Sequence, residues 1–100
     1  MEDSIYEIID CTSDENYWTL GLFLNVQSAI DAISACNDPN DLGGDHECYE
    51  EGVDVVIRER KIGWGGVGRT VYRVAYENEY DEKKDEYAWV RIIKDPKERK

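Results

Sequence analysis

The sequence predicts an α+β fold: a single two-layer domain, β-β-α-β-β-β, with one helix packed on one face of a mainly antiparallel sheet. A chain of 100 residues that is 41% hydrophobic suffices for one small core. β-branched and aromatic residues concentrate in five segments, whereas one segment repeats its apolar residues at helical spacing. Short links join the first two strands and the last three, which favours antiparallel neighbours.

The first two strands are predicted over residues 4–11 and 17–24, with turn formers between them. Asn25 is a candidate N-cap for the helix that follows. The apolar stripe of this helix comprises Val26, Ala29, Ile30, Ile33 and Cys36. We expect the helix to stop near Asn37, because Pro39 disfavours helical backbone at the residue before it.

A loop is predicted after the helix, over residues 37–51. It holds six carboxylates and shows little periodicity. The remaining strands are predicted over residues 52–62, 70–80 and 86–94. A turn over residues 81–85 joins the last two. We treat residues 1–100 as one domain and expect residues 95–100 to be a flexible tail.

Charge is distributed unevenly along the chain, which carries a net charge of −11. Residues 1–57 contain 14 Asp and Glu but no Lys or Arg, and all 12 basic residues lie from Arg58 onward with nine acidic ones. Ordinary surfaces mix both signs, so a base-free half indicates a surface for a positively charged partner. The alternative is a solvated acidic face that keeps the protein soluble. Arg58, Arg60 and Lys61 fall in a predicted strand and are expected to neutralise part of that face.

Carboxylates cluster at the first hairpin tip, in the long loop and at the entry to the third strand. Residues on one face of a strand lie about 6.6 Å apart, twice the rise per residue. Acidic side chains at such intervals suit a basic groove that normally holds phosphates. A large aromatic residue in the glycine-rich segment is a candidate anchor at an interface. The predicted partner-binding residues are Asp14, Glu15, Asp38, Asp41, Asp45, Glu47, Glu50, Glu51 and Trp64.

The glycine-rich segment, residues 63–68, is predicted to be a wide hairpin loop with positive φ values. Phosphate-binding loops instead join a strand to a helix. His46 and Cys48 offer metal-ligand chemistry, but Cys11 and Cys36 lack the spacing that would complete a zinc site. No serine lies in a nucleophile-elbow context. We therefore predict no catalytic residues, no metal and no cofactor.

Aromatic residues recur on one parity of the last two strands, at Tyr72, Tyr76 and Tyr80 and again at Tyr87 and Trp89. We interpret them as cross-strand pairs that pack on the sheet. Base stacking is the alternative, but an acidic protein approaches nucleic acid against repulsion. Direct nucleic-acid binding is therefore not expected.

The longest apolar segment, residues 20–24, is far too short to span a bilayer, and no targeting segment is recognisable. We expect a cytoplasmic protein without membrane contact.

Residues 6–11 (YEIIDC) and 17–33 (YWTLGLFLNVQSAIDAI) resemble the opening of many short phage and prophage proteins. In size, acidity and element order the chain is similar to small anti-CRISPR proteins, several of which mimic DNA. This resemblance implies a phage-encoded inhibitor that acts in the host cytoplasm. Its oligomeric state, monomer or homodimer, stays open. The inhibitor would bind a basic nucleic-acid-binding surface of a CRISPR or similar defence complex and thereby block the binding of target DNA. The alternative is an immunity protein or antitoxin that neutralises a basic toxin nuclease.

Overall fold

A computed structural model of the chain describes residues 4–12, 17–43, 52–63 and 68–94. The strands are β1 (Ser4–Asp10), β2 (Trp18–Phe23), β3 (Val53–Lys61), β4 (Arg69–Asp81) and β5 (Glu86–Lys94), and the helices are α1 (Val26–Ser34) and a 3-10 helix (Pro39–Leu42). The predicted α+β fold with one α-helix is confirmed. Within the described residues, no helix combines the length and apolar character that a bilayer crossing requires.

All five strands form one sheet in the order β2-β1-β3-β4-β5, and every neighbouring pair is antiparallel. Strands joined by short links are thus antiparallel neighbours, as predicted: β1 with β2, and β3 with β4 and β5 in turn. The two groups are joined because β1 also pairs with β3 along its whole length, from Ser4 opposite Lys61 to Asp10 opposite Val55. This pairing lays the base-free half of the chain against the strand in which basic residues begin.

Helix α1 packs on one face of the sheet, against β1, β2 and β3. The buried core comprises Ile8, Ala29, Ile33, Val53, Val55, Ile57, Val74 and Tyr76. Asn25 is the N-cap, as predicted, because its side-chain oxygen accepts the N–H of Ser28 at 2.8 Å. The helix ends at Ser34, earlier than expected, because its last turn tightens: the N–H of Cys36 donates to the carbonyl of Ile33 at 3.1 Å.

Strands β4 and β5 continue past the rest of the sheet. The last pair between β3 and β4 is Val53 opposite Tyr76, whereas β4 and β5 stay paired as far as Asp81 opposite Glu86. Residues 77–90, here called the arm, are therefore a two-stranded hairpin whose paired part spans about 17 Å at the usual rise per residue. The molecule is accordingly elongated, with extents of 53 × 26 × 22 Å.

Strands β3 and β4 are antiparallel neighbours, so the glycine-rich segment joins them as a hairpin connection, as predicted. Gly63 has a φ of +87°, the left-handed backbone expected there. At Gly68 a different constraint applies, because a Cβ would overlap the carbonyl oxygen of Glu59. Both glycines are thus required by the local backbone, one by its φ value and one by a close approach.

Candidate protein-binding surface

Only two of the nine predicted partner-binding residues, Asp38 and Asp41, belong to the described part of the chain. The others lie outside the described residues: Asp14, Glu15, Asp45, Glu47, Glu50, Glu51 and Trp64. Asp38 is the N-cap of the 3-10 helix, and its Oδ1 accepts the N–H of Asn40 at 2.9 Å. Asp41 is exposed in the same turn. Asp38 therefore has a structural role, while Asp41 is accessible to a partner.

Two carboxylates of the base-free half are buried on β1. Asp10 is 3% exposed, and its Oδ1 accepts both the N–H and the hydroxyl of Thr12, at 3.0 and 2.6 Å. Glu7 accepts the hydroxyl of Thr19 with Oε2, and its Oε1 lies 3.3 Å from Nε of Arg60. These charges stabilise the fold and are not available to a partner.

A second internal ion pair joins Asp54 on β3 to Arg73 on β4, at 3.4 Å. It forms because β4 pairs with β3, which places a base from the second half of the chain beside an acid from the first half. Arg60, one of the strand bases predicted to neutralise part of the acidic face, pairs instead with the buried carboxylate of Glu7, so that prediction stays untested for the exposed acids. A partner therefore meets fewer charges than the sequence of the first half suggests.

At the opposite end of the sheet, Glu59 is held by two donors. The hydroxyl of Tyr6 donates to Oε2 at 2.9 Å, and Nε of Arg69 lies 2.8 Å from Oε1. The Tyr6 hydrogen bond, followed by the bond and charge of Arg69, lowers the pKa of the Glu59 carboxyl. The same bond raises the pKa of Tyr6. Glu59 is therefore another acid already paired within the fold.

Charge among the described residues is concentrated in the arm. Outside the arm these residues include seven Asp and Glu and seven Lys and Arg, so the described body has no net charge. The arm contains six acidic residues and two basic ones. They are Glu77, Glu79, Asp81, Glu82, Asp85 and Glu86, with Lys83 and Lys84. The net charge of −4 on the described residues is therefore that of the arm.

Three acidic residues of the arm alternate along β4, at Glu77, Glu79 and Asp81. Their parity is opposite to that of buried Tyr76, so they lie on the sheet face away from α1, about 6.6 Å apart. We call these three residues the carboxylate row. Asp81 is fixed, since its Oδ1 accepts the N–H groups of the next turn at 3.0 and 3.4 Å.

The row is open to solvent along the arm. Glu77 and Glu79 are exposed, and none of the ion pairs between described residues engages them. Glu86, directly opposite Asp81 on β5, adds a further exposed carboxylate beside the row. The row can therefore form charge-assisted hydrogen bonds to Lys or Arg side chains of another protein.

The other face of the arm is aromatic. Tyr80 and Tyr87 are opposite each other in the register, with ring centroids 5.2 Å apart and planes at 60°. The predicted cross-strand aromatic pairing is thus confirmed for these two residues. The Tyr80 hydroxyl donates to the Asp85 carboxylate, which raises the pKa of Tyr80. These contacts link both strands to the turn and hold the arm in shape.

The carboxylate row is a feature that the sequence analysis missed. Its signal is the pattern E-x-E-x-D over residues 77–81, where acids recur with the period of a strand. The charge difference between the two halves of the chain points to the first half, and in β4 the acids alternate with the aromatic residues Tyr76 and Tyr80. Acidic residues at every second position of a predicted strand are the signal that identifies such a row.

Groups capable of metal binding or covalent chemistry are few in the described ranges. The thiols of Cys11 and Cys36 are free and half-buried, and burial raises the pKa of both. In these ranges no group of three His, Cys, Asp or Glu is arranged to hold a metal ion. His46 and Cys48, the metal candidates in the sequence, lie outside them. The feature of the described surface on which the rest of the argument depends is the carboxylate row.

No family model, no curated protein and no solved structure matches the chain.

Proposed function

We propose that this protein is a phage-encoded inhibitor of a host defence complex of the CRISPR type or similar. It binds a basic nucleic-acid-binding surface of that complex and blocks the binding of target DNA. It acts in the host cytoplasm and without catalysis. One observation carries this proposal: the carboxylate row lies on a two-stranded arm that holds the net charge of the described residues, whereas the rest of the described residues have no net charge. A regular row of exposed carboxylates can occupy sites that bind the phosphates of a nucleic-acid strand.

The rest of the chain's negative charge supports the same assignment. The residues outside the described ranges contain ten acidic and three basic side chains. Seven of the predicted partner-binding residues are among them, Asp14, Glu15, Asp45, Glu47, Glu50, Glu51 and Trp64. Such an excess steers association with a basic surface and makes binding weaken as salt is added.

The first experiment captures the target from a nuclease-treated lysate of a bacterial host, with the full chain immobilised. Glu77→Gln with Glu79→Gln neutralises two exposed positions of the row and changes the net charge from −11 to −9. Asp31→Lys, on the exposed side of α1, makes the same change in net charge away from the row. We expect the double variant to lose about tenfold in affinity for the captured complex and Asp31→Lys to bind as the parent does.

Duplex DNA added to the same capture should displace the bound complex, because both ligands use one basic surface. Capture that survives DNA, or that is equally strong with the double variant, would contradict the proposal. The variant with Asp41, Asp45, Glu47 and Glu50 all changed to Lys tests the long loop in the same assay. Capture of a single basic nuclease whose cleavage is blocked would instead identify an immunity protein.

A further inference from the structure

Strand β5 forms one edge of the sheet, and no described strand pairs with its outer side. It is nine residues long, and it exposes 53% of Tyr87 and 65% of Ile93. An edge of this length presents unpaired N–H and C=O groups that can bind another strand. Its formal charge is +1, from Glu86, Arg91 and Lys94, so the edge lacks the acidity of the chain as a whole.

The two ends of β5 each lie beside a like charge on β4. Glu86 is directly opposite Asp81, and Lys94 is directly opposite Arg73. Like charges directly opposite each other destabilise a strand pair. Arg73 also forms an ion pair with Asp54, at 3.4 Å, whereas within the described ranges the Asp81 carboxylate accepts the backbone N–H groups of Lys83 and Lys84. The monomer therefore has a negative end and a positive end on one face of the same edge.

We propose that β5 pairs antiparallel with β5 of a second copy, about a two-fold axis at Val90, to form a continuous ten-stranded sheet. This register places Glu86 opposite the partner's Lys94, and the symmetry repeats that pair at the other end. Tyr87 then faces the partner's Ile93, an aromatic and β-branched pair of the kind that stabilises sheets. The two carboxylates at one end of β5 in one copy thus lie beside a lysine of the second copy, and the two bases at the other end lie beside a glutamate.

Neighbouring registers are poorer. A two-fold axis normal to the sheet lies midway between the two strands. It keeps facing side chains on one face of the sheet only when one residue lies directly opposite its own copy. An axis at Arg91 sets two guanidinium groups opposite each other and leaves Glu86 without a partner. An axis at Trp89 leaves Lys94 beyond the end of the facing strand. The register at Val90 alone pairs all nine residues of β5.

The arm gives a second reason for this pairing. Its paired residues form only two strands, and an isolated two-stranded hairpin is marginally stable in water. In the proposed dimer, the far end of the partner's β5 lies along residues 86–90 and adds a third strand. The carboxylate row stays exposed, because it is on β4 and away from the new contact.

The test measures mass by sedimentation equilibrium, starting from a monomer of 11.6 kDa. We expect the parent chain to reach twice this mass at high concentration. Glu86→Lys alone and Lys94→Glu alone each turn two attractive pairs into repulsive ones, so each should weaken the dimer about tenfold. An equimolar mixture of the two variants should associate again, because every end pair is then complementary. The doubly swapped chain, E86K/K94E, should also recover.

Matched controls separate register from net charge. Lys84→Glu in the turn changes the net charge as Lys94→Glu does, and Asp31→Lys matches Glu86→Lys. Both controls should leave the dimer intact. A parent chain that stays monomeric at millimolar concentration would overturn the proposal. So would a dimer that Lys94→Glu leaves intact, or a mixture of the two single variants that remains monomeric.

Discussion

Two side chains from the sheet hold the C-terminal end of α1. Nη1 of Arg91 lies 3.2 Å from the Ile33 carbonyl and 3.1 Å from that of Cys36, and the Tyr76 hydroxyl donates to the Cys36 carbonyl at 2.9 Å. The last carbonyls of a helix lack partners within it and favour positive charge. The last turn of α1 has no basic residue of its own. Arg91 supplies that charge from β5.

Replacing Arg91 by Met keeps the aliphatic stem but removes the donors. We expect the free energy of unfolding to fall by about 1.5–3 kcal/mol, the range for hydrogen bonds that involve a charged group. Tyr76→Phe should cost about 1 kcal/mol, and the two losses should not add, because both act at Cys36. Urea unfolding of the dilute, monomeric chain measures each value.

Lys84→Met is the matched control for this experiment, since Lys84 is exposed in the turn of the arm. It should change stability by less than about 0.5 kcal/mol. If Arg91→Met is no more destabilising than this control, Arg91 does not cap the helix in solution.

Among the elements, the connection between β3 and β4 depends on its two described glycines for different reasons. A Cβ at Gly68 would overlap the backbone oxygen of Glu59, whereas at Gly63 a Cβ meets nothing within 4 Å and only the positive φ opposes it. We expect Gly63→Ala to cost about 1 kcal/mol and Gly68→Ala at least about 2 kcal/mol. Thermal unfolding followed by circular dichroism compares the two. Equal losses would show that β4 can shift to accept the methyl group.

Most elements were predictable because their signals are local. Asn25 caps α1 through a residue three positions on, and the strand pattern of β3 arises from alternation within nine residues. The positive charge at the end of α1 was not predictable in the same way, since Arg91 is 55 residues from Cys36 along the chain. The arm was also missed as a feature. It exists because β4 has 13 residues and β3 only nine, a difference that matters only once the strands are paired.

At the scale of the whole molecule, charge along the chain does not translate directly into charge on the surface. The base-free half suggests a uniformly acidic region, but Glu7 and Asp54 form ion pairs with bases of the second half, and Asp10 accepts hydrogen bonds from Thr12. The acidity that remains among the described residues lies in the arm, which belongs to the half that contains the bases. The acidic surface predicted from the first half rests mainly on residues outside the described ranges and stays a prediction, and the sequence pattern did not locate the carboxylate row.

This distribution predicts how salt affects stability. At low ionic strength the neighbouring carboxylates of the row repel, by roughly 0.6 kcal/mol for charges about 6.6 Å apart in water. Raising NaCl from about 0.01 M to about 1 M shortens the Debye length from about 30 Å to about 3 Å and removes that repulsion. The ion pair of Glu7 with Arg60 weakens in the opposite sense, but Glu7 is only 9% exposed and less screened. We therefore expect the melting temperature of the dilute chain to rise with salt.

The variants of the row test whether this repulsion is local. Glu77→Gln with Glu79→Gln should melt higher than the parent in low salt and gain less from added salt. Asp31→Lys has the same net charge of −9, but Asp31 lies outside the arm, where the described residues have no net charge, so it should keep most of the parent's salt response. Melting curves at a series of NaCl concentrations compare the three chains. Identical salt responses in the two variants would mean that self-repulsion is spread over the whole molecule, which would contradict a charge concentrated in the arm.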